Sequence, residues 1–429
     1  MCDNHSVTDL QKTPLYRLGY VLEETGLQAD TVRVWERRYG FPMPRRTEGG
    51  HRLYSRHDIR ALQWMKARLE EGMRISKAVR LWKEMEAQGI DPLALGGSEG
   101  ISELEKIRGE WISACLDFDE SRAEALLDAA FQVYPPETVC LQVLQRGVHQ
   151  IGEMWYRAEA TVQQEHFTSE LVSRRLHHLI ASAPSPWREG VFLVGTPAGE
   201  MHSLPALLLA TLLRLRGWDT RFLGSNVPEE RIKHTLEIVR PSAVLYSVQL
   251  LTNLPALQGV GRLLQAEGVP LGYAGQIFNR HPSLCERIPG YFLGRTFEEA
   301  LDSAEVLIRV DRITPEVQET PPLYRQAAEA LANFSSSITA QMHVRLSHIP
   351  RQFLDEALTF TLEQWWAALH LGDLNPLREE MQWIAHLLKY RSLNPGWLVD
   401  YWQAWREVVK EHLGDLAAPI LEFLDHFEK

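Results

Sequence analysis

Three interruptions divide the hydrophobic pattern of this chain into four blocks. Residues 91–100 (DPLALGGSEG) are rich in Gly, Pro and Ser, residues 182–187 (SAPSPW) carry two prolines, and residues 312–322 (RITPEVQETPP) carry three. Such stretches break regular structure because proline removes a donor and glycine holds no backbone preference. The first block, 1–90, reads as short helices around a turn-rich stretch. The second, 101–181, repeats apolar residues at helical spacing, for example Val139, Val143, Leu144, Val148 and Ile151. The third, 190–309, alternates short apolar runs with helical patterns: VFLVGT, TRFLGS, AVLYSV, PLGYAG and YFLG. That alternation predicts a doubly wound parallel sheet with helices on both faces. The fourth, 323–429, is helical again and holds six of the thirteen tryptophans: Trp365, Trp366, Trp383, Trp397, Trp402 and Trp405. They read as helical core, and the block as an interaction or oligomerisation bundle. The expected fold is therefore multidomain, α and α/β.

Within the first block, residues 16–39 (YRLGYVLEETGLQADTVRVWERRY) predict a helix over 18–25, a turn at Gly26 and a second helix from about Asp30. Asp30 is the expected N-cap, and Val32 and Trp35 the inward anchors. Thr31, Arg33, Arg37, Arg38 and Tyr39 are left to reach phosphates or base edges. The Gly49–Gly50 pair that follows can supply the positive φ of a tight hairpin, with His51 and Arg52 at its tip and Tyr54 behind it. The runs VWERRYG (34–40) and RTEGGHRLYS (46–55) resemble the winged helix-turn-helix of the MerR family over residues 14–84. The resemblance implies that the second helix enters the major groove of double-stranded operator DNA, that the wing grips the flank, and that more than one copy binds.

Charge sharpens this picture. The chain carries a net charge of −11 over 429 residues, which argues against nonspecific coating of nucleic acid. Yet residues 33–68 contain ten Lys/Arg against three acids, the footprint of phosphate contacts. A solvated helix face would show the same bias. The four cysteines, Cys2, Cys115, Cys140 and Cys285, form no C-x-x-C pair, and MerR-type metal ligands are missing after Leu62. With no apolar signal segment and no membrane-length apolar run, the expectation is a cytoplasmic protein free of membranes.

The third block carries candidate ligand chemistry. Its first strand ends in GTPAGEMH (195–202), its third in Ser247, and its fourth is followed by Gly275. Ligands of doubly wound sheets bind at this carboxyl edge. His202 could ligate a metal there, although a rim histidine is more often a plain solvent-facing residue. Glu200-x-His202, Ser247 and Gly275 resemble the cobalamin-binding domain of methionine synthases and corrinoid proteins. The resemblance implies that His202 replaces the nucleotide base on cobalt, while Ser247 and Gly275 receive the displaced tail. Pro205, Gln249 and Ala274 depart from the family pattern D-x-H-x-x-G, S-x-L, G-G.

In the second block Trp155 is followed after nine residues by Glu165-His166, with Thr161 to Gln164 as a capping box between two helices. Alone, these would read as a core tryptophan beside two exposed polar groups. Placed behind a MerR reader and before a cobalamin domain, they resemble the adenosylcobalamin-dependent photoreceptor repressors of the CarH/LitR type, over residues 14–309. That implies Trp155 against the adenosyl group, Glu165 hydrogen-bonded to it, His166 nearby, and a homo-oligomer (dimer or tetramer) that light dissociates. Tyr156 stands where such proteins commonly carry a histidine. Two further readings remain at this point: the same architecture without cobalamin, controlled by a protein partner, and a corrinoid carrier in methyl transfer. No catalytic domain accompanies the sensor, and a carrier has no use for a winged helix-turn-helix, so no catalytic residues are expected.

DNA binding is predicted to reside in the first block. Arg37→Ala and Arg52→Ala should each weaken operator binding by about 1–3 kcal/mol per lost charged contact. Unchanged affinity of the double variant in a titration would remove this surface from the reading.

Overall fold

A computed structural model describes residues 12–47, 49–70, 73–87, 98–309, 317–381 and 396–427, together with positions 384 and 394. Trp383 and, of the breaks, residues 91–97 and 312–316 lie outside the described residues.

The N-terminal unit is built from helices α1 (Leu18–Thr25), α2 (Ala29–Tyr39), α3 (Arg56–Glu70) and α4 (Ile75–Ala87). A small antiparallel sheet, ordered β1 (Tyr16–Arg17), β3 (Arg52–Tyr54), β2 (Arg45–Arg46), completes it. Gly26 and Gly40 end α1 and α2 with φ near +63° and +64°, where a side chain would be strained. Val32 and Trp35 point inward as expected. Asp30 does not cap α2: the helix begins a residue earlier, Gln28 occupies the cap position without a side-chain bond, and Asp30 instead pairs with Arg33 one turn on. An acid in the first turn still meets the positive end of the helix dipole, so the same residue type serves two positions past the cap.

The second unit is a helical bundle of α5 (Ser98–Leu116), α6 (Glu120–Val133), α7 (Pro136–Val139), a π segment (Cys140–Gln145), α8 (Arg146–Tyr156) and α9 (Val162–Ser182). The predicted capping box is present: Thr161 accepts from the Gln164 amide, and the Gln164 side chain accepts from the Thr161 amide.

The third unit has five parallel strands, β4 (Val191–Pro197), β5 (Asp219–Val227), β6 (Ala243–Ser247), β7 (Leu271–Ala274) and β8 (Tyr291–Phe292), in the order β5-β4-β6-β7-β8. Each falls on a predicted apolar run. Alternate residues feed two separate cores. Phe192, Val194 and Leu245 pack with α10 (Leu204–Leu215), α14 (Phe297–Leu307) and the bundle. Leu193, Val244 and Tyr246 pack on the other side with α11 (Ile232–Val239), α12 (Leu254–Ala266) and the short α13 (Gln276–Arg280).

The C-terminal helices α15 (Pro322–Arg345), α16 (Arg351–Leu371), α17 (Gly396–Leu413) and α18 (Ala418–Phe427) do not stand apart. Their core is continuous with the second of those two, and α16 lies against α12 and the short turn at Leu251–Asn253. Trp365 and Trp405 are fully buried there, while Trp366, Trp397 and Trp402 pack against the edge. Truncating Trp365 to alanine should cost about 3–5 kcal/mol. Because the core is shared, hydrogen exchange should accelerate in α12 as well as in α16. Acceleration confined to the C-terminal helices would contradict the shared core.

Candidate functional site

The carboxyl edge of the sheet is organised by one buried carboxylate. After β4 the chain turns through Gly199 (φ +85°), where a Cβ would meet the Asn253 side chain at 2.8 Å. Glu200, fully buried, follows. One of its oxygens accepts from the His202 backbone amide at 3.0 Å and lies 2.6 Å from His202 Nδ1. The other accepts from the amides of Gln249 (2.7 Å) and Leu250 (3.3 Å) and from Asn253 Nδ2 (3.0 Å). Burial alone would raise this carboxyl, but the bonds from His202, Gln249 and Asn253 outweigh it and hold the group down at about 2.

The hydrogen bond to Glu200 raises His202 above its ordinary value; burial opposes this, and the charge of Glu165 adds to it. In the neutral ring the carboxylate on Nδ1 keeps the proton on that nitrogen and leaves Nε2 its lone pair, the arrangement that orients histidine ligands of metals. The His202 side chain is 57% exposed, so Nε2 is accessible. Pro205, in the family's glycine place, lies in the first turn of α10, where its missing N–H leaves no helix bond unmade. The ligand loop tolerates this departure.

Ser247 ends β6 and Gly275 follows β7, so both do lie on the rim with His202. Gly275 (φ +148°) is required by a close approach: a Cβ there would fall 1.7 Å from the Val248 carbonyl oxygen. Gln249 spans the gap between these loops. Its amide donates to Ser247 Oγ at 2.8 Å and accepts from the Gln276 amide at 3.1 Å.

The opposite lip belongs to the bundle. Trp155 lies in the last turn of α8 and Glu165 in the first turn of α9, as the capping box requires. The Trp155 side chain is unusually open for tryptophan at 46% exposure, and Tyr156 beside it at 51%. Glu165 is half-buried and accepts from Ser169 Oγ at 2.7 Å; His166 is exposed. The charge of Glu165 bears on His202, which puts the first turn of α9 near the histidine. Met201 and Leu250, on the rim loops themselves, also expose large apolar side chains. Asn253 and Gln249 were not among the expected site residues. Gln249 stood out only as a departure from the family's S-x-L, and nothing local marks Asn253; the fold brings them to Ser247 and Glu200.

On the reader, Arg33, Arg37 and Arg38 are exposed along α2, Thr31 and Tyr39 are half-buried, and His51 is exposed at the wing. Gly50 alone of the glycine pair takes the positive φ, at +78°. Arg52 and Arg46 both pair with Glu36 of α2, at 2.6 and 3.4 Å, which braces the wing against the reading helix. Tyr54 is a correction. It is fully buried in the reader's core, opposite Tyr16 in the sheet, and has no surface to offer DNA.

Among the described residues no cluster of three or more His, Cys, Asp or Glu could hold a metal ion, and no helix is long and apolar enough to cross a membrane. Glu200→Gln would set an amide donor against the Gln249, Leu250 and Asn253 donors and cost about 1–3 kcal/mol or more. Faster exchange of the Gln249 and Leu250 amides should accompany it; slow exchange there would mean that Glu200 does not tie the loops.

Residues 16–84 match the MerR HTH family regulatory protein family, and residues 108–180 and 190–304 match two B12 binding domain families. The chain is 32% identical over 279 residues to the HTH-type transcriptional repressor CarH of Myxococcus xanthus, covering 64% of this chain and 93% of that one. It is 31% identical over 235 residues to the repressor CarA of the same organism, covering 54% and 75%. Dimethylamine corrinoid protein 2 of Methanosarcina acetivorans is 21% identical over 168 residues, 38% of this chain and 78% of that one. Reader, cap and sensor thus fall in one order with the family of the HTH-type repressors CarH and CarA, and the chain belongs to it: a MerR-type, cobalamin-binding regulator of transcription rather than an enzyme.

Proposed function

We propose that the cleft holds adenosylcobalamin with the Nε2 atom of His202 on cobalt, and that the chain is a cytoplasmic repressor whose grip on its operator ends when light changes its oligomeric state. The observation that carries this is the pairing of two features across one cleft. A histidine oriented by a buried carboxylate stands on the sheet; from the bundle the charge of Glu165 bears on it, and the exposed Trp155 indole ends the preceding helix.

When bound, the cofactor supplies a cobalt–carbon bond that light can break. The chain's own residues do the rest. Trp155 offers a flat apolar surface for a nucleoside, and Glu165, fixed by Ser169, an acceptor for its hydroxyls. Without a nucleoside to cover, Trp155 stays in water, so the bundle gains by shifting against the sheet. Only a ligand that favours one assembly over another can move that equilibrium. Tyr156, in place of the usual histidine, offers a phenol rather than an imidazole, so the lit state should be less stable or more reversible than in relatives that carry the histidine.

One observation favours the second reading, a repressor controlled by a protein partner without cobalamin. Gln249 fills the gap between Ser247 and Gly275 where the tail is expected to lie, and must swing aside for it to enter.

Protein loaded with adenosylcobalamin in darkness should elute as an oligomer and change size after green light. Trp155→Ala should uncouple DNA release from illumination and leave operator binding intact. Identical elution in darkness and light would overturn the photoreceptor reading and favour the partner-controlled repressor. His202→Ala should weaken cofactor retention and shift the absorption spectrum; an unchanged spectrum and affinity would place another ligand on cobalt.

A further inference from the structure

At the far end of α10 from His202 lies a cluster of buried charges that no cofactor contact explains. Asp302 and Glu305, on α14, are 3% and 1% exposed. Asp302 accepts from Arg56 Nε of the reader at 3.0 Å, with Arg60 at 3.8 Å. Arg216, immediately after α10, donates to Asp302 at 3.2 Å and to Glu305 at 3.3 Å, and reaches Glu137 of the bundle at 3.1 and 2.5 Å. Arg188 completes the balance on Glu305 at 3.1 Å. Arg56 also donates to Tyr20 and pairs with Glu24 on α1.

We propose that the acidic face of α14 is the docking surface of the DNA reader, and that Arg216 makes this docking answer to the position of α10 and hence of the cofactor loop. The proposal deepens the cobalamin reading and rests on it only for the ligand that moves α10. The reader, the bundle and the sensor meet at these groups, and Arg56, Arg60 and Arg216 each pair with a carboxylate contributed by another unit. A buried ion cluster of this kind is a poor source of net stability, but the loss of one member leaves the others charged and unpaired, so its state is effectively all or none. The lever is short: α10 has 12 residues, about 18 Å, and is buried along nearly its whole length, beginning two residues after His202 and ending beside Arg216. It packs along α9, whose first turn carries Glu165. A shift of the bundle against the sheet therefore reaches Arg216 by α10 and Glu137 by α7. Arg33, Arg37 and Arg38 stay exposed while the reader is docked, so the cluster sets where the reader is held rather than covering its reading face.

Hydrogen exchange on the full chain tests this. Asp302→Asn should accelerate exchange in α1 and the first turn of α3 by about tenfold or more, with β4 and β6 unchanged as the control for folding. Arg216→Gln, which touches no reader residue in the cluster, should loosen the same segments, and Arg216→Lys, with the charge but not the fork, should have a smaller effect. Loading with adenosylcobalamin, followed by absorption in the same samples, should change exchange at the first turn of α3 in the parent and not in Arg216→Gln. If neither cofactor-free substitution loosens the reader, the docking surface is wrong. If only Asp302→Asn does, or if the loaded parent is unchanged, the relay through Arg216 is wrong. A protein that takes up no adenosylcobalamin overturns the reading of the cleft, and the cofactor-free variants still decide the docking surface.

Discussion

The arrangement of the cofactor cleft depends on the Glu200 carboxylate. It is fully buried, and it accepts hydrogen bonds from two loops that follow different strands. An ionised carboxylate in that position is tolerated only because donors surround it. In return it fixes the tautomer of His202, the path of the Gln249–Leu250 backbone and the side chain of Asn253 together. Asn253 ends the short turn against which α16 packs, so the C-terminal helices buttress the same loop from behind. The orientation of His202, the rim geometry and the seat of the last domain thus share one electrostatic centre.

The opposite end of α10 repeats the principle with the signs shared more widely. There the buried acids are Asp302 and Glu305; Arg56 and Arg60 of the reader and Arg188 and Arg216 beside the sheet satisfy them, and the bundle adds Glu137 on Arg216. A helix with a buried charged group at each end is a stiff connector, because neither end can move without leaving a charge unpaired. This gives a physical route by which a change in the cleft can reach a reader that never touches the cofactor.

Much of this was legible in the chain. The apolar runs located all five parallel strands, and the Thr161–Gln164 capping box placed Trp155 and Glu165 at adjoining helix ends, because both signals are local. Errors arose where tertiary packing decides. Tyr54 follows the wing in sequence, but strand pairing turns it into the core. Asp30 is a good capping residue two positions too late. Gln249 looked like a weakened family motif, and the fold shows it bridging Ser247 and Gln276. The Arg56–Asp302 pair joins residues 246 positions apart, and no periodicity or motif marks either partner. The C-terminal block read correctly as helical, yet its continuity with the sensor core depends on which face of α16 is apolar toward α12.

The central claim is that His202, held by Glu200, is the protein's ligand to cobalt. Electron paramagnetic resonance of the cobalamin complex reduced to cobalt(II), compared between ordinary protein and protein labelled with nitrogen-15 histidine, tests it directly. Coordination by His202 predicts that the nitrogen splitting changes from a triplet to a doublet on labelling and that the change is lost in His202→Ala. A triplet that persists in the labelled protein would show that the cofactor keeps its own base, and would contradict the account.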